Sequence, residues 1–354
     1  TAHDITITVT GTNDVPILVA QTQSVTEDGS ALQGQMQATD ADYNTHLSFE
    51  IANPVDGLIF NADGSYTFDP SNAAYQHLGA GQDQTITIPV TVKDEVNATS
   101  IQNLTITVHG TNDGAVISGQ NTGAVTEDTN VVHGTGGDIL VTQGTLTSTD
   151  VDNVDNQFTA ESLQTLKDGS PAEGVLQMGK SGTWIYTVDN SSLQSMGAGE
   201  TKTEIFEVKS IDGTTHDVEV TITGTNDQPV LGVTQTTNST GTLTETDVDT
   251  SDTHTFSVVQ GAGQFGTLAV DSQTGAYTYT PSGAVQGLHY DSHQGHYVGD
   301  DTFEIKVVDN HGAETSTFIT FGTQGIVTAP TGTDTTPTVT TSVPSPAIVT
   351  VTAP

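Results

Sequence analysis

The chain has 354 residues, with 43 acidic side chains against 6 basic ones, a formal net charge of -37 and no cysteine. That balance argues against nucleic acid and anionic membrane surfaces as partners, since both need clustered Lys and Arg. Disulfide staples and thiolate metal sites are excluded, and no apolar run is long enough to span a membrane.

Thr, Gly, Asp and Val dominate, residues that favour strands and the turns between them, and no long run has helical periodicity. The chain opens on an alternating stretch, Ile5-Thr-Ile-Thr-Val9, closed by Gly11-Thr-Asn-Asp14. The same phrase returns as Gly110-Thr-Asn-Asp113 after Leu104-Thr-Ile-Thr-Val108, and as Gly224-Thr-Asn-Asp227 after Val218-Glu-Val-Thr-Ile222. A phrase repeated after about a hundred residues predicts an array of like domains. The expected units are the last strand of a preceding repeat (1–14), repeat one (15–113), repeat two (114–227), a divergent repeat three (228–329) and a Thr/Pro-rich linker or disordered tail (330–354). By that analogy the chain reads as a segment of a longer protein.

Further landmarks keep the repeats in register. Val25-Thr-Glu-Asp28 matches Val125-Thr-Glu-Asp128, and Thr39-Asp-Ala-Asp42 matches Thr149-Asp-Val-Asp152 and Thr246-Asp-Val-Asp249. A glycine-led aromatic strand follows at Gly64–Phe68, Gly182–Tyr186 and Gly275–Tyr279, and Leu78-Gly-Ala-Gly81 matches Met196-Gly-Ala-Gly199. Each repeat then has a strand ending on an aspartate, at Asp94, Asp212 and Asp309. Ile86, Ile88, Val90 and Val92 alternate as in a half-buried strand. Short strands with regular turn signals predict an all-β protein of tandem immunoglobulin-like antiparallel sandwiches in an elongated array. The aligned aromatics and Trp184 read as core.

The acidic residues fall at the ends of these units. Calcium takes six to eight oxygen ligands from carboxylates, amides and carbonyls. A site between two domains draws on the base of one, the connection, and the top of the next. Between repeats one and two these are Glu27 and Asp28, then Asn112 and Asp113, then Asp150 and Asp152, joined by Asp212. The corresponding sets are Asn13, Asp14, Asp40, Asp42 and Asp94 before repeat one, and Glu127, Asp128, Asn226, Asp227, Glu245, Asp247 and Asp249 before repeat three. The competing reading is that Asn-Asp is only a turn and the carboxylates only face water.

In these motifs the chain resembles the VCBS-type repeats of giant bacterial RTX adhesins, cadherin-like tandem domains of immunoglobulin fold. Gly-Thr-Asn-Asp-x-Pro, as at Gly11–Pro16, is similar to the Asp-x-Asn-Asp-Asn-x-Pro linker of cadherins, and Thr-Asp-x-Asp to their Asp-x-Asp motif. The resemblance covers nearly all of the first two repeats and part of the third. It implies calcium at the joints, type I secretion to the cell surface, and a role in attachment or biofilm formation. The glycine-rich nonapeptide repeats of RTX regions are absent, so the secretion route rests on the resemblance alone. The expected partners are neighbouring repeats of a monomeric array and a host or biofilm surface.

Repeat three lacks Thr-Glu-Asp and ends Phe321-Gly-Thr-Gln-Gly325 without Asn-Asp. The clamped run is therefore expected to stop there, leaving the tail mobile. Its loop His289-Tyr-Asp-Ser-His293-Gln-Gly-His296 has residue types that suit a transition metal. The spacing matches no helical ligand pair, however, and an exposed loop or a pH-sensitive contact explains it as well. A rival function is a glycan- or peptide-binding module centred on this repeat, since loops on rigid sandwiches carry recognition. No nucleophile elbow or phosphate loop is present, and carboxylates at domain ends serve cations better than acid–base catalysis, so no enzyme is expected.

Overall fold

Side-chain alternation decides the strands. Along Asp83–Lys93, Ile88, Val90 and Val92 are buried while Thr87 and Pro89 face water. In the paired strand Thr99–His109, Leu104, Ile106 and Val108 are buried in turn. The computed structural model describes residues 3–152, 156–283, 287–293, 296–328, 338–342 and 351–352. The side chains of residues 290, 296, 297, 323–328, 338–342 and 351–352 lie outside that description.

Three separate apolar cores form, one per repeat: Leu18 to Val108, Val125 to Ile222, and Leu243 to Phe321. None shares a residue with another, so the chain is a tandem of β-sandwiches. In the first domain one sheet runs Gln21–Thr26, Thr99–His109, Asp83–Lys93, Ser48–Ile51, and the other pairs Leu32–Gln35, Ser65–Phe68 and Leu58–Phe60. Neighbours are antiparallel except Gln21–Thr26, which lies parallel to the last strand. The second domain repeats this, with Thr122–Thr126 parallel to Thr215–Thr223. Parallel pairing carries both strands to the same end of the sandwich. Thr-Glu-Asp is thereby delivered beside the departing linker: Glu27 N donates to His109 O at 2.8 Å and Glu127 N to Thr223 O at 2.9 Å.

The third domain keeps the sandwich without that parallel strand among its described residues. Val230–Gln235 pairs antiparallel with Thr240–Thr246 instead. Strand Thr338–Ser342 pairs with Gln324 to Thr328 of the last strand, and Val351–Thr352 with Phe318 and Ile319. This corrects the expectation of a mobile tail for these residues: their β-branched residues find an unpaired sheet edge. Residues 330–337, 343–350 and 353–354 of the expected linker, and residue 329 at the end of the expected third repeat, lie outside the description. Ile5 to Val9 forms no strand, and Ile5, Ile7 and Val9 are exposed. A strand needs a neighbour for its backbone groups, and this stretch has none among the described residues.

Aromatic rings pack over glycine in each domain. Tyr66, Trp184 and Tyr277 lie opposite Gly34, Gly144 and Gly241 across a strand pair. Trp184 is fully buried, with Nε1 donating to Gln120 O at 2.7 Å. A methyl on Gly144 would stand 2.5 Å from the indole. Gly144→Ala is expected to lower the stability of the second domain by about 1–3 kcal/mol through overpacking. Urea unfolding followed by the fluorescence of Trp184, the chain's single tryptophan, measures this; an unchanged midpoint would refute it.

Candidate metal centres at the domain joints

The Gly-Thr-Asn-Asp linker follows the last strand without a break, and its glycine has a steric cause. A Cβ on Gly110 would lie 2.2 Å from Leu78 O, and one on Gly224 2.2 Å from Met196 O. Gly110 N donates to Gln82 O and Gly224 N to Glu200 O. The linker glycine therefore needs the Leu-Gly-Ala-Gly turn beneath it, which is why both phrases recur together in the first two repeats.

At the first joint the three sources converge. From the base, Glu27 Oε2 accepts from Thr111 N at 3.2 Å. From the linker, Asp113 N donates to Asp152 Oδ2 at 3.0 Å, and Asn112 Nδ2 reaches Asp212 Oδ2 at 3.5 Å. At the top of the second domain, Asp152 N donates to Asp150 Oδ1 at 2.9 Å. The second joint repeats the wiring. Thr225 N donates to Glu127 Oε2 at 3.0 Å, Asp227 N to Asp249 Oδ2 at 2.8 Å, Asn226 Nδ2 to Asp309 Oδ2 at 2.9 Å, and Asp249 N to Asp247 Oδ1 at 3.0 Å. Before the first domain, Asn13 Nδ2 donates to Asp94 Oδ2 and Asp14 N to Asp42 Oδ2, both at 2.8 Å, and Asp42 N to Asp40 Oδ1.

The electrostatics are one-sided. Glu27, Glu127, Asp152 and Asp249 are buried, and among the described residues no lysine pairs with any joint carboxylate. Burial and then the nearby carboxylates of Asp28, Asp152 and Asp150 push Asp113 up. Asp227 is raised by burial and then by Asp128, Asp249 and Asp247. Glu27 rises for the same reasons against a bond from Thr111, and Glu127 is pushed up to about 7. Several buried oxygens have no hydrogen-bond partner: Asp113 Oδ2, Asp150 Oδ2 and Asp152 Oδ1 at the first joint, and Asn226 Oδ1, Asp227 Oδ2 and Asp249 Oδ1 at the second. Asp40 Oδ2 is in the same state before the first domain.

The strand-end aspartates behave differently. Burial opposes ionisation of Asp94, Asp212 and Asp309, but converging donors outweigh it and hold all three below the usual carboxylate range. Asp309 Oδ1 accepts from the amides of His311 and Ala313 at 2.7 and 3.0 Å, while Oδ2 holds the linker asparagine. Their evident work is to anchor Asn13, Asn112 and Asn226.

Asp28 and Asp128 sit at φ 55° and 54°, left-handed turn positions beside the buried glutamates. Glu245 is not brought to the linker group. It stands two strand positions before Asp247, about 7 Å along the chain, and faces His254 Nδ1 at 3.6 Å. His254 Nε2 in turn meets Asp247 Oδ2 at 2.8 Å. His289 lies opposite Val298 in a hairpin, and the His293 side chain is 96% exposed. Neither joins a group of metal-ligating side chains among the described residues. The side chain of His296 lies outside those residues.

Sequence reasoning placed Asp309 at the end of the third aligned strand but did not assign it to a joint. It also missed Gln76 and Gln194, whose Nε2 atoms bridge Glu27 with Asp28 at 3.4 and 2.9 Å and Glu127 with Asp128 at 2.9 and 3.1 Å. The signal was present: each glutamine stands two residues before its Leu-Gly or Met-Gly turn, and the third repeat lacks both.

Residues 13–110 and 225–325 match the model of the bacterial cadherin-like domain, together more than half of the chain, and the chain belongs to that family. The matched segments are the first and third domains, so the repeat set apart as divergent retains the family's sandwich even without its base motifs. Cadherin-like domains are structural and adhesion modules, typically extracellular. Among curated proteins none matches. Similar solved structures include protocadherin gamma B2 extracellular cadherin domains 1-5, at 14% identity and TM-score 0.45, covering 86% of this chain and 59% of that one. Human CDH23 EC21-23 is similar at 18% identity and TM-score 0.42, covering 86% and 99%. Drosophila N-cadherin EC1-4 follows at 14% and 0.34, covering 85% and 73%. The chain thus spans under two thirds of the protocadherin segment. No helix of the described residues is long and apolar enough to cross a membrane.

Proposed function

We propose that this chain is a calcium-stiffened extender region of a secreted bacterial surface adhesin of the RTX, VCBS-repeat type, exported by type I secretion and serving attachment or biofilm formation. One observation carries the reading: at both inter-domain joints, buried oxygens of the linker and of the next domain's top lack hydrogen-bond partners beside a buried base glutamate, and no lysine pairs with these carboxylates among the described residues. Carboxylate, amide and carbonyl oxygens are the donor set that calcium takes. Glu27, Asp28, Asn112, Asp113, Asp150 and Asp152 would hold it at the first joint. Glu127, Asp128, Asn226, Asp227, Asp247 and Asp249 would do so at the second, and Asn13, Asp14, Asp40 and Asp42 offer a partial set before the first domain. Asp94, Asp212 and Asp309 position the linker asparagines.

The bound ion would supply the positive charge that the joints lack. A unit charge pair at ~4 Å gains about 4 kcal/mol at an effective dielectric near 20, before desolvation costs. The same carboxylates repel one another without it. Small-angle scattering and calorimetry with calcium and then with EDTA test this. The expected result is an extended, protease-resistant chain with calcium, and a less stable chain with bending joints in chelator. Identical scattering and melting in both would refute the reading.

A further inference from the structure

The second joint carries chemistry that the first does not. Asp252, Asp309 and His311 each offer a ligand atom within 4.8 Å of the others. Asp252 is the informative member: its side chain is 1% exposed, and its Oδ1 has no hydrogen-bond partner. Its Oδ2 lies 3.1 Å from His311 Nδ1, a nitrogen that also stands 3.2 Å from the amide of Asn310. The group thus sets an imidazole nitrogen beside two carboxylates, one of them with a buried oxygen that has no hydrogen-bond partner. At the other tops the residue two places after the strand-end aspartate is Val96 or Thr214, neither an imidazole.

We propose that Asp252, Asp309 and His311 form a transition-metal site of the zinc class, distinct from the all-oxygen calcium positions and confined to the joint between the second and third domains. Imidazole with carboxylates suits zinc and its neighbours, whereas calcium takes hard oxygen donors. Three protein ligands with one open position is a common zinc arrangement, and bonds of about 2.1 Å place opposed ligands about 4.2 Å apart at most. The spread within 4.8 Å therefore needs only a small closure, which the partly exposed His311 ring can provide. His254 faces Asp247 and Glu245 and is not a member of this group.

The inference deepens the reading of the joints as cation sites, and its test separates the two. The calcium-loaded full chain is titrated with zinc chloride by calorimetry, with cobalt(II) as a spectroscopic substitute. The wild type is expected to take up a single zinc equivalent and to show visible cobalt bands. His311→Ala should weaken uptake by at least about tenfold, no less than loss of an outer-shell partner does, and should lose the bands. His293→Ala should leave both unchanged. Absence of zinc uptake by the wild type, unaltered uptake in H311A, or loss in H293A would overturn the proposal. A separate calcium titration, in which H311A keeps the wild-type response, shows that the variant is folded. Failure of calcium to act on the wild type would count against the joint reading alone.

Discussion

Glu127→Gln is expected to remove a pH dependence worth about 3 kcal/mol from the unit formed by the second and third domains. The buried Glu127 carboxyl is pushed from an ordinary 4.5 up to about 7, first by burial and then by Asp227, Asp128 and Asp249. Without a cation, the folded chain therefore holds this proton over a range in which the unfolded chain has lost it. Stability from this group is complete below about 4.5 and is lost as pH rises through about 7, at about 1.4 kcal/mol per unit. Calcium bound as proposed would reverse the sign, because a carboxylate must be ionised to ligate it, and its affinity at this joint would rise over the same window. Calorimetry in EDTA from pH 5 to 8 should show the wild type weakening with pH and E127Q staying nearly flat. Parallel slopes would show that Glu127 does not govern the joint.

Glu204→Ala is expected to destabilise the second domain by about 3–5 kcal/mol, because it leaves buried donors without an acceptor. Glu204 is fully buried, with Oε1 accepting from Glu173 N at 2.6 Å and Oε2 from Tyr186 OH at 2.7 Å. Burial, then Glu204, holds the Tyr186 phenol far above its usual range, so it stays a donor. The third domain repeats the device with Asp301, which accepts from Gln264 N at 2.7 Å and Tyr279 OH at 2.9 Å. The first domain has Ile86 in the matching register. Glu204→Gln, which retains one acceptor oxygen, should cost less. Trp184 fluorescence reports the second domain's unfolding in urea, and a loss under about 1 kcal/mol in E204A would mean that water replaces the carboxylate.

Much of this was legible in the residues. The period-two alternation of Ile86, Ile88, Val90 and Val92 marked a strand, because burial on one sheet face leaves that imprint directly, while the strand expected to end on Asp212 stops at Lys209 and leaves Asp212 in the following turn. The aspartates of the Asp-x-Asp turns were legible too, since they recur in register and lie at strand ends. Glu245 was chosen for its acidity near a motif, which does not say how far along a strand a side chain stands. Glu204 and Asp301 look like surface residues in sequence. Nothing local distinguishes a buried carboxylate from an exposed one until the opposing tyrosine and amides are in place.

Composition and recurrence by themselves determined that the chain is an all-β array of like units whose carboxylates gather at their joints. Those features follow from local periodicity and from repeated phrases at fixed spacing. Only the tertiary structure decided which carboxylates meet. The parallel pairing of Gln21–Thr26 and Thr122–Thr126 with the last strands brings Glu27 and Glu127 under linkers 84 and 98 residues away. It also decided that Asp252 and His311 face each other across 59 residues. Contacts at such separations are set by strand order and register, which a one-dimensional pattern does not encode.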